Sequence, residues 1–352
     1  MVHRTAALLA LLVLVGCGST QADTVTPDKL RLGAGQEPLR ALYQQAVKAG
    51  ETQVVVYGPN QTNYAAINEA FGKRFPGITV KGEPYTGAAL ESRLATEFSS
   101  RKHVADLIEN TTYNYLDKGY YQPYSPPTAD RLDATFREKT GHLWGVSGTL
   151  FGFQYNTDKV PQPPASWHDL IDPKWKGQIA SGDPGQPSAT SDMLIKLQAA
   201  GVIDDAWLRG LAANKLAVKS ELELAAAANA RGEYGIVLVQ IYNFFAKDKA
   251  KGAPVQFVFP SDGVMVAPNF YGVVKDAPHP AAAKLFMSWL FTPEAQDAFA
   301  KAGVYPLMPG AKTADGIPPT DQLKVVNAPD PAEMTKLWTP GTKKLKDILG
   351  GS

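Results

Sequence analysis

The stretch QVVVYGPNQTNYAAINEAFGKRFPGITVK, residues 53–81, combines two hydrophobic patterns in a short length of chain. Residues 53–57 form a largely β-branched run, typical of a buried strand, that ends at a Gly-Pro-Asn loop. In the next segment Ile67, Phe71 and Phe75 recur at helical spacing. A second apolar run, residues 78–81, follows directly. The stretch therefore predicts a strand–helix–strand unit.

The same alternation continues in both directions along the chain. Before the stretch, residues 39–47 have the apolar spacing of an amphipathic helix, which Gly50 ends. After residue 145 a second series of apolar runs and helical stripes begins. Strands separated by helices favour a parallel, doubly wound sheet, and 352 residues suffice for about two such domains. The further predicted strands are residues 104–109, 150–155, 236–239 and 255–259, and the further predicted helices include residues 206–213, 221–230 and 281–291.

The composition is that of an ordinary globular protein. Hydrophobic residues make up 44% of the chain and charged residues 20%, with a formal net charge of +1. Because the basic residues are scattered and the charge is balanced, we expect no nucleic-acid partner. Cys17 is the only cysteine in the sequence. A disulfide within the chain and a paired-cysteine metal site are therefore excluded.

The N-terminus has the pattern of an export signal. His3 and Arg4 precede an apolar run from Ala6 to Val15, which is too short to span a bilayer. The run ends LVGC at Cys17, which resembles the bacterial lipobox. We therefore expect residues 1–16 to be a lipoprotein signal peptide, Cys17 to carry the lipid, and residues 17–36 to be a flexible tether. An ordinary secretory signal with a chance cysteine is the alternative. An acylated cysteine would anchor the protein to a membrane face without inserting it.

Candidate binding groups follow the predicted strands. In open α/β sheets, ligands bind beyond the carboxyl ends of the strands, so the loops at those ends carry the expected site. Thr86 and Ser188 stand where helices begin, and both could simply cap those helices instead of binding a ligand. The predicted ligand-binding residues are Asn60, Gln61, Thr86, Gly87, Ala88, Asn110, Thr111, Tyr155, Asp183, Ser188, Gln240, Tyr242 and Asn243.

The chemistry of these groups fits a small polar organic solute. Neutral amides, hydroxyls and aromatic faces predominate among them. Helix N-termini at Thr86 and Ser188 could take a phosphate, phosphonate or carboxylate. Glu109, near the same loops, could with tyrosine faces hold an amine. A sugar phosphate, an aminophosphonate, a thiamine-like cation and a polyamine all remain open at this point.

Signatures of catalysis are missing from the sequence. It contains no GxSxG elbow, HExxH motif or P-loop, and GAGQEP at Gly33 lacks the third glycine of a dinucleotide fingerprint. None of the five histidines falls in the strand-end loops. We therefore expect no enzyme, no cofactor and no metal site.

Several long blocks, in order, resemble a known family. They are FGFQYNTDKV from Phe151, PASWHDLIDPKWKGQIASGDP from Pro164, KGAPVQFVFPSDGVMV from Lys251 and HPAAAKLFMSWLFTPEAQDAFAKAGVYPLMPG from His279. Together with the lipobox, they resemble the solute-binding lipoproteins of bacterial ABC importers, in the branch that includes ferric-iron-binding proteins. The resemblance covers roughly residues 39–309.

The resemblance implies a fold of two doubly wound α/β lobes joined by a two-strand hinge, the type II periplasmic-binding-protein architecture. Lobe one would comprise residues 37–150 and 264–352, and lobe two residues 151–263, with crossover strands near residues 147–155 and 260–267. The implied function is capture of a solute between the lobes and delivery to an ABC permease. We expect a monomer, exported and tethered by its lipid on the extracytoplasmic face, either extracellular or periplasmic.

The resemblance does not extend to all the residues that bind iron in this branch of the family. Ferric binders of this branch hold the ion mainly with two adjacent tyrosines, whereas this chain has Tyr242 followed by Asn243. Gln61 and Thr111 stand near the places of a histidine and a glutamate ligand. An organic solute is therefore the leading hypothesis. A ferric-iron transport protein, an exported enzyme on the same bilobed fold, and a scaffold or adhesin are the alternatives.

Overall fold

The computed structural model describes residues 30, 32, 36–113, 115–127, 129–326, 328–329 and 331–350. The predicted signal peptide, Cys17 and most of the predicted tether lie outside the described residues. Leu30 and Leu32 are described, and Leu30 is buried in a hydrophobic core. Leu30 therefore packs on the core of the first lobe, and the tether of residues 17–36 stays a prediction. Among the described residues, the structure contains no helix of the length and apolarity that crossing a membrane requires.

Helices and strands alternate along most of the chain, as the sequence predicts. The α-helices are α1 (Glu37–Ala49), α2 (Ala65–Arg74), α3 (Gly87–Ser100), α4 (Ala189–Ala199), α5 (Asp205–Ala213), α6 (Leu222–Ala230), α7 (Tyr242–Ala250), α8 (Pro280–Trp289), α9 (Pro293–Lys301) and α10 (Pro331–Leu349). The strands are β1 (Gln53–Tyr57), β2 (Thr79–Glu83), β3 (Leu107–Asn110), β4 (Trp144–Asn156), β5 (Ile179–Gly182), β6 (Ala217–Lys219), β7 (Ile236–Ile241), β8 (Val255–Val258), β9 (Val264–Val273), β10 (Tyr305–Pro306) and β11 (Val325–Val326).

The strands form two α/β lobes that share a central pair. The order across the sheet is β2-β1-β3-β9-β4-β7-β5-β6, so β1 to β3 lie on one side of the β9–β4 pair and β5 to β7 on the other. Pairing of β1 with β2 is parallel, as is pairing of β5 with β6 and β7. This confirms the predicted fold of two α/β lobes, because the long strands β4 and β9 pass from one lobe to the other.

The crossover pair is antiparallel and irregular at one point. It runs from Trp144 opposite Tyr271 to Phe151 opposite Met265, with a register shift between Gly145 and Ser147. A bulge of this kind locally bends a strand and increases its twist. It brings Ser147 directly opposite Asn269. Both side chains are almost completely buried, so two polar groups lie inside the crossover.

The core of the first lobe packs on both faces of β1 to β3. On one face α1, α2, α8 and α9 contribute aromatic side chains, including Phe71, which packs edge-on against Phe286 at 4.9 Å. On the other face α3 contributes Leu90 and Leu94. Edge-on packing suits the ring quadrupoles, and burial of such side chains stabilises a fold by about 2 kcal/mol each.

The core of the second lobe contains a segment from the end of the chain. Trp167, Trp207 and Leu238 are buried there together with Leu345 and Leu349 of α10. The prediction places residues 264–352 in lobe one, whereas α10 packs against α4 and α5. The predicted lobe boundaries stay a prediction, and the contacts of α10 favour moving that helix to lobe two.

Candidate functional site

The loop after β1 is held in place by a buried carboxylate. Glu109, at the end of β3, has no exposed surface. It accepts a hydrogen bond from the Asn60 backbone N–H at 3.0 Å and one from Asn60 Nδ2 at 2.8 Å. A side chain at Gly58 would put its Cβ 2.4 Å from Glu109 Oε2, so glycine is needed for this close approach. Glu109 therefore fixes the loop through two bonds to one residue.

Burial changes the acidity of this carboxyl group. Removal from water raises the pKa of Glu109, and the hydrogen bonds from Asn60 and Gln61 act in the opposite direction. Gln61 Nε2 lies 3.4 Å from both Glu109 Oε2 and the Tyr271 hydroxyl. Gln61 is itself buried, and its Oε1 has no hydrogen-bond partner among the described residues. The Gln61 amide therefore faces the interior of lobe one rather than open solvent.

A polar network links this loop to both crossover strands. Asn60 Nδ2 donates to Asn269 Oδ1 at 3.3 Å. Asn269 Nδ2 donates to the Tyr64 hydroxyl at 3.0 Å and to Ser147 Oγ at 3.2 Å. The two hydroxyls lie 3.1 Å apart and share a hydrogen bond. Burial raises the pKa of Tyr64, so its phenol stays protonated at neutral pH.

The N-terminus of α3 has free backbone donors. Thr86 is the N-cap residue, yet its side chain makes no cap hydrogen bond, and Gly87 has a positive φ of 48°. Thr86, Gly87 and Ala88 are all exposed. The prediction that the Thr86 side chain caps the helix is therefore wrong. Because unsatisfied N–H groups and the helix dipole attract anions, this end of α3 can hold a negatively charged group.

Arg93 of α3 is already paired and is not free to bind such an anion. Arg93 donates to Glu97 Oε1 at 2.8 Å and to the Tyr57 hydroxyl at 3.1 Å. Glu97 is buried and also accepts from Tyr57. The guanidinium is therefore neutralised within lobe one. Tyr85, which precedes the helix, packs edge-on against Tyr57 with ring centroids 4.9 Å apart.

In the second lobe, the loop after β5 uses its polar groups internally. Ser188 Oγ accepts from the Ser191 N–H at 3.2 Å and donates to the Asp183 carbonyl at 2.9 Å. Ser188 and Ser191 form a capping box at the start of α4. Asp183 Oδ1 accepts from the Gly185 N–H at 2.7 Å. The prediction that Ser188 caps a helix is confirmed. The N-terminus of α4 therefore has fewer free backbone donors than that of α3.

The two residues at the start of α7 lie at the boundary between the lobes. Tyr242 and Asn243 line a narrow cleft together with Gly148 of β4 and with Gly303 and Tyr305 near β10. The N-cap residue of α7, Ile241, has no side chain able to cap the helix. This second uncapped N-terminus therefore lies in the second lobe and faces residues of the first.

Tyr242 belongs to an aromatic group. Its ring packs edge-on against Phe257 at 5.2 Å and stacks on Phe259 at 6.1 Å. Partial burial raises the pKa of its hydroxyl, which makes a phenolate less accessible. The hydroxyl has no hydrogen-bond partner within the described ranges of the chain. Tyr242 therefore has a ring fixed by packing and a hydroxyl that is available to a ligand.

The structure brings Asn60, Thr86 and Asn110 to one edge of the first lobe. Tyr57 lies opposite Glu83 and Ile108 in the parallel pairing, so the three strands end together. Asn110 Oδ1 accepts from the exposed Thr111 N–H at 2.8 Å. These strand-end residues fulfil the geometric part of the prediction. Their role in binding stays a prediction.

Two predicted site residues lie elsewhere. Gln240 is inside β7, where it is fully buried and donates from Nε2 to Gln154 Oε1 at 3.0 Å. The expectation that it begins a loop facing the cleft is wrong. Tyr155 lies opposite Ile236, at the amino end of β7. Because the loops of the site follow the carboxyl ends of the strands and β7 ends at Ile241, Tyr155 is about 17 Å of strand away from them.

Asn269 and Ser147, the polar residues of the crossover, are not among the predicted site residues. Asn269 stands in the apolar strand VMVAPNFYGV, and a buried amide in such a run needs partners. The sequence therefore indicates that Asn269 has hydrogen-bond partners, but it does not identify them. Ser147 in β4 offers the same kind of signal more weakly, because a serine hydroxyl can bond its own backbone.

The donor set does not match a metal site. Within the ranges that the structure describes, no group of three or more histidine, cysteine, aspartate or glutamate side chains is placed to hold an ion. Tyr242 is followed by the neutral Asn243, and burial keeps Tyr64 and Tyr271 protonated. What the arrangement can do is bind an uncharged or anionic organic group through amides, hydroxyls and helix N-termini.

Comparison with known proteins agrees with this description. Residues 106–330 match the model of a family described as bacterial extracellular solute-binding protein. A putative 2-aminoethylphosphonate-binding periplasmic protein of Salmonella typhimurium is 25% identical over 249 residues, 66% of this chain and 70% of that protein. The iron uptake protein A2 of Synechocystis is 26% identical over 252 residues, 66% of this chain and 71% of that protein.

Two further similarities bear on length and fold. An uncharacterized protein of Haemophilus influenzae is 26% identical over 196 residues, and the match spans 53% of this chain and just over half, 56%, of that relative. The solved structure of a Bordetella ferric binding protein superimposes with a TM-score of 0.70 at 23% identity, covering 84% of this chain and 98% of that one. The latter supports the bilobed fold.

Proposed function

Because this chain belongs to the family of bacterial extracellular solute-binding proteins, we propose that it captures a small organic solute carrying an anionic group and delivers it to an ABC permease. The family consists of transport proteins rather than enzymes. The anionic group in this proposal is a phosphonate, a phosphate ester or a carboxylate. The observation that carries it is the uncapped, exposed N-terminus of α3 at Thr86 and Gly87.

Polar groups in each of the two lobes support the proposal. In the first lobe, Asn60 and Thr86 lie at one edge, and in the second, Tyr242 and Asn243 line the boundary cleft. A solute that contacts both sets would stabilise the closed arrangement of the lobes, since a ligand shifts an equilibrium towards the state it binds better. The mostly neutral lining fits an organic molecule better than a bare ion.

Binding to the native state raises thermal stability, so a solute panel tests the proposal. The panel contains 2-aminoethylphosphonate, a sugar phosphate, a dicarboxylate, inorganic phosphate, a polyamine and ferric citrate. A saturable rise in melting temperature is expected with at least one of the phosphonate, the phosphate ester and the carboxylate. A rise with the polyamine alone, or with ferric citrate alone, would contradict the proposed anionic class.

Iron transport is the second candidate, because one relative is named an iron uptake protein. The geometry does not favour it, since the tyrosine–asparagine pair offers one phenol with a raised pKa. Ferric phenolate sites absorb visible light. A protein that stays colourless after iron loading would agree with the organic-solute proposal, and a coloured complex with one iron per chain would contradict it.

We also propose that the chain is exported and lipid-anchored through Cys17, on the basis of the LVGC sequence. Replacement of Cys17 by Ser should release the protein from the membrane fraction, and retention there would contradict the anchor. The molecule is proposed to act as a monomer. Sedimentation of the mature chain as a dimer would contradict that part.

A further inference from the structure

We propose that Asn269, on the crossover strand β9, is a positioning residue that holds the Asn60 amide with its carbonyl oxygen turned toward the solute. The proposal rests on the proposed function and deepens it. It predicts that the solute presents a hydrogen-bond donor, such as an ammonium or hydroxyl group, in addition to its anionic group. Asn269 is 4% exposed, so its own role is indirect.

The orientation of Asn60 follows from its two acceptors. Its Nδ2 donates to Glu109 Oε1 at 2.8 Å and to Asn269 Oδ1 at 3.3 Å. An amide nitrogen has two hydrogens, so both are used. The remaining polar atom, Asn60 Oδ1, has no hydrogen-bond partner in the described part of the chain, and Asn60 is partly exposed. The side chain therefore offers an acceptor and no donor.

The orientation of Asn269 is fixed in turn. Its Nδ2 donates to the Tyr64 hydroxyl at 3.0 Å and to Ser147 Oγ at 3.2 Å. Turning the amide over would point its oxygen at these hydroxyls and its NH₂ at the NH₂ of Asn60. Two facing donors in a buried setting leave groups unpaired, which is unfavourable. Glu109 only accepts, so it fixes the nitrogen side of the Asn60 amide, and Asn269 Oδ1 accepts the second N–H of that nitrogen. The Ser147 and Tyr64 hydroxyls accept from the Asn269 NH₂ and hold it in place.

The position of Asn269 also connects the solute loop with the hinge. It lies directly opposite Ser147 in the antiparallel pair that joins the lobes, next to the bulge between Gly145 and Ser147. A change in the twist of β4 against β9 would move Asn269 relative to Asn60. The network therefore couples the orientation of a solute-facing acceptor to the geometry of the crossover strands.

The test uses a matched pair of probes and a matched pair of variants. The probes are 2-aminoethylphosphonate and ethylphosphonate, which differ by the ammonium donor. The variants are Asn269→Ala and Asn229→Ala. Asn229 is equally buried in lobe two, where it accepts from Gln154 Nε2 and donates to the Tyr234 carbonyl, both at 2.9 Å. Both variants lose a buried amide, and only the first lies in the network of Asn60.

We expect wild type and Asn229→Ala to bind 2-aminoethylphosphonate about tenfold more tightly than ethylphosphonate, as one hydrogen bond to a charged group allows. Asn269→Ala should bind the two probes within about twofold of each other. Equal discrimination in Asn269→Ala and wild type would overturn the proposal. Ser147→Ala, which removes one of the two groups that hold Asn269, should show a smaller loss in the same direction if Asn269→Ala does not fold.

A readout without solute separates this inference from the proposed function. Amide hydrogen exchange of the solute-free protein should show the Asn60 backbone N–H exchanging about tenfold faster in Asn269→Ala than in Asn229→Ala, at conditions of equal global stability. Equal exchange in the two variants would overturn the positioning role. If neither probe binds wild type while exchange at Asn60 changes as expected, the proposed solute class fails and the positioning role stands.

Discussion

Asn60 and Glu109 lie 49 residues apart in the chain, yet one carboxylate accepts both the backbone N–H and the side-chain NH₂ of the asparagine, at 3.0 and 2.8 Å. Because two bonds from one residue fix both position and rotation, the loop after β1 has a defined shape before any solute arrives. Preorganisation of this kind reduces the ordering cost of binding.

The first prediction concerns the acidity of Glu109. Burial raises its pKa above the ordinary 4.5, so its contribution to stability is fully present below about pH 4.5 and is lost as pH rises through the raised pKa. Glu109→Gln is uncharged and lacks this dependence. The free energy of unfolding of the variant should therefore lack the part of the pH dependence that Glu109 contributes. Chemical denaturation from about pH 4 to about pH 8 should show the stability of wild type falling relative to that of the variant.

Parallel pH profiles of the two proteins would contradict this account of Glu109. All other titrating groups are common to wild type and variant, so they cancel in the difference. Asp106, whose pKa is likewise raised by burial, is among those groups.

The second prediction is that Asp106, just before β3, contributes to stability and not to solute binding. Asp106 is fully buried and accepts from the backbone N–H groups of Val55 and His279, each at 2.8 Å, and from His279 Nδ1 at 3.0 Å. Asp106→Asn should lower the free energy of unfolding by about 3 kcal/mol, because one of these donors would face the new NH₂. It precedes β3, whereas Glu109 is near the other end. Solute affinity of the folded variant should therefore stay unchanged, and a tenfold loss (about 1.4 kcal/mol) would contradict that separation.

The third prediction concerns the hydroxyl of Tyr242. Its ring is held by Phe257 and Phe259, so Tyr242→Phe should change stability by less than about 0.5 kcal/mol. If the hydroxyl contacts solute, affinity measured by titration calorimetry should fall about tenfold.

The matched control is Tyr43→Phe, far from the cleft. The Tyr43 hydroxyl donates to the Pro76 carbonyl at 2.6 Å inside lobe one. This variant should lose about 1 kcal/mol of stability and keep its affinity. If Tyr242→Phe behaves like Tyr43→Phe, with lower stability and unchanged affinity, Tyr242 has a packing role only.

The fourth prediction concerns Thr86, where one substitution should raise stability and lower solute affinity. Thr86→Asp places a carboxylate at the N-cap of α3, where the threonine makes no cap bond. The new cap should stabilise the fold by about 0.5–1 kcal/mol and repel an anionic solute, so affinity should fall more than tenfold while melting temperature rises. Thr86→Asn caps without charge and is the control. Equal affinities of the Asp and Asn variants would show that no anionic group binds there.

Much of the secondary structure follows from local pattern. The β-branched run at residues 53–57 forms β1, and Ile67 and Phe71 of the helical pattern lie in α2, which ends at Arg74, one residue before Phe75. β-branched runs and apolar side chains at helical spacing decide these elements within a few residues of chain. The family resemblance predicts the crossover strands: β4 contains all of residues 147–155, whereas β9 begins at Val264 and contains half of residues 260–267.

Less of the site than of the fold can be predicted from the sequence, because the contacts of the site join distant residues. Asn269 meets Tyr64 across 205 positions, and nothing local to either residue encodes that meeting. Gln240 was misplaced for a related reason: its polarity suggested a loop, whereas Gln154 satisfies it inside the sheet. A buried amide is tolerated wherever a partner is found, and only the tertiary fold shows the partner.

Native mass spectrometry of the freshly purified full-length protein tests the central claim most directly, since it weighs whatever the cleft retains. The account predicts one small organic molecule per chain, with a phosphonate, phosphate ester or carboxylate group, and its loss from Thr86→Asp. One iron ion per chain in place of an organic molecule, or retention of the same solute by Thr86→Asp, would contradict it.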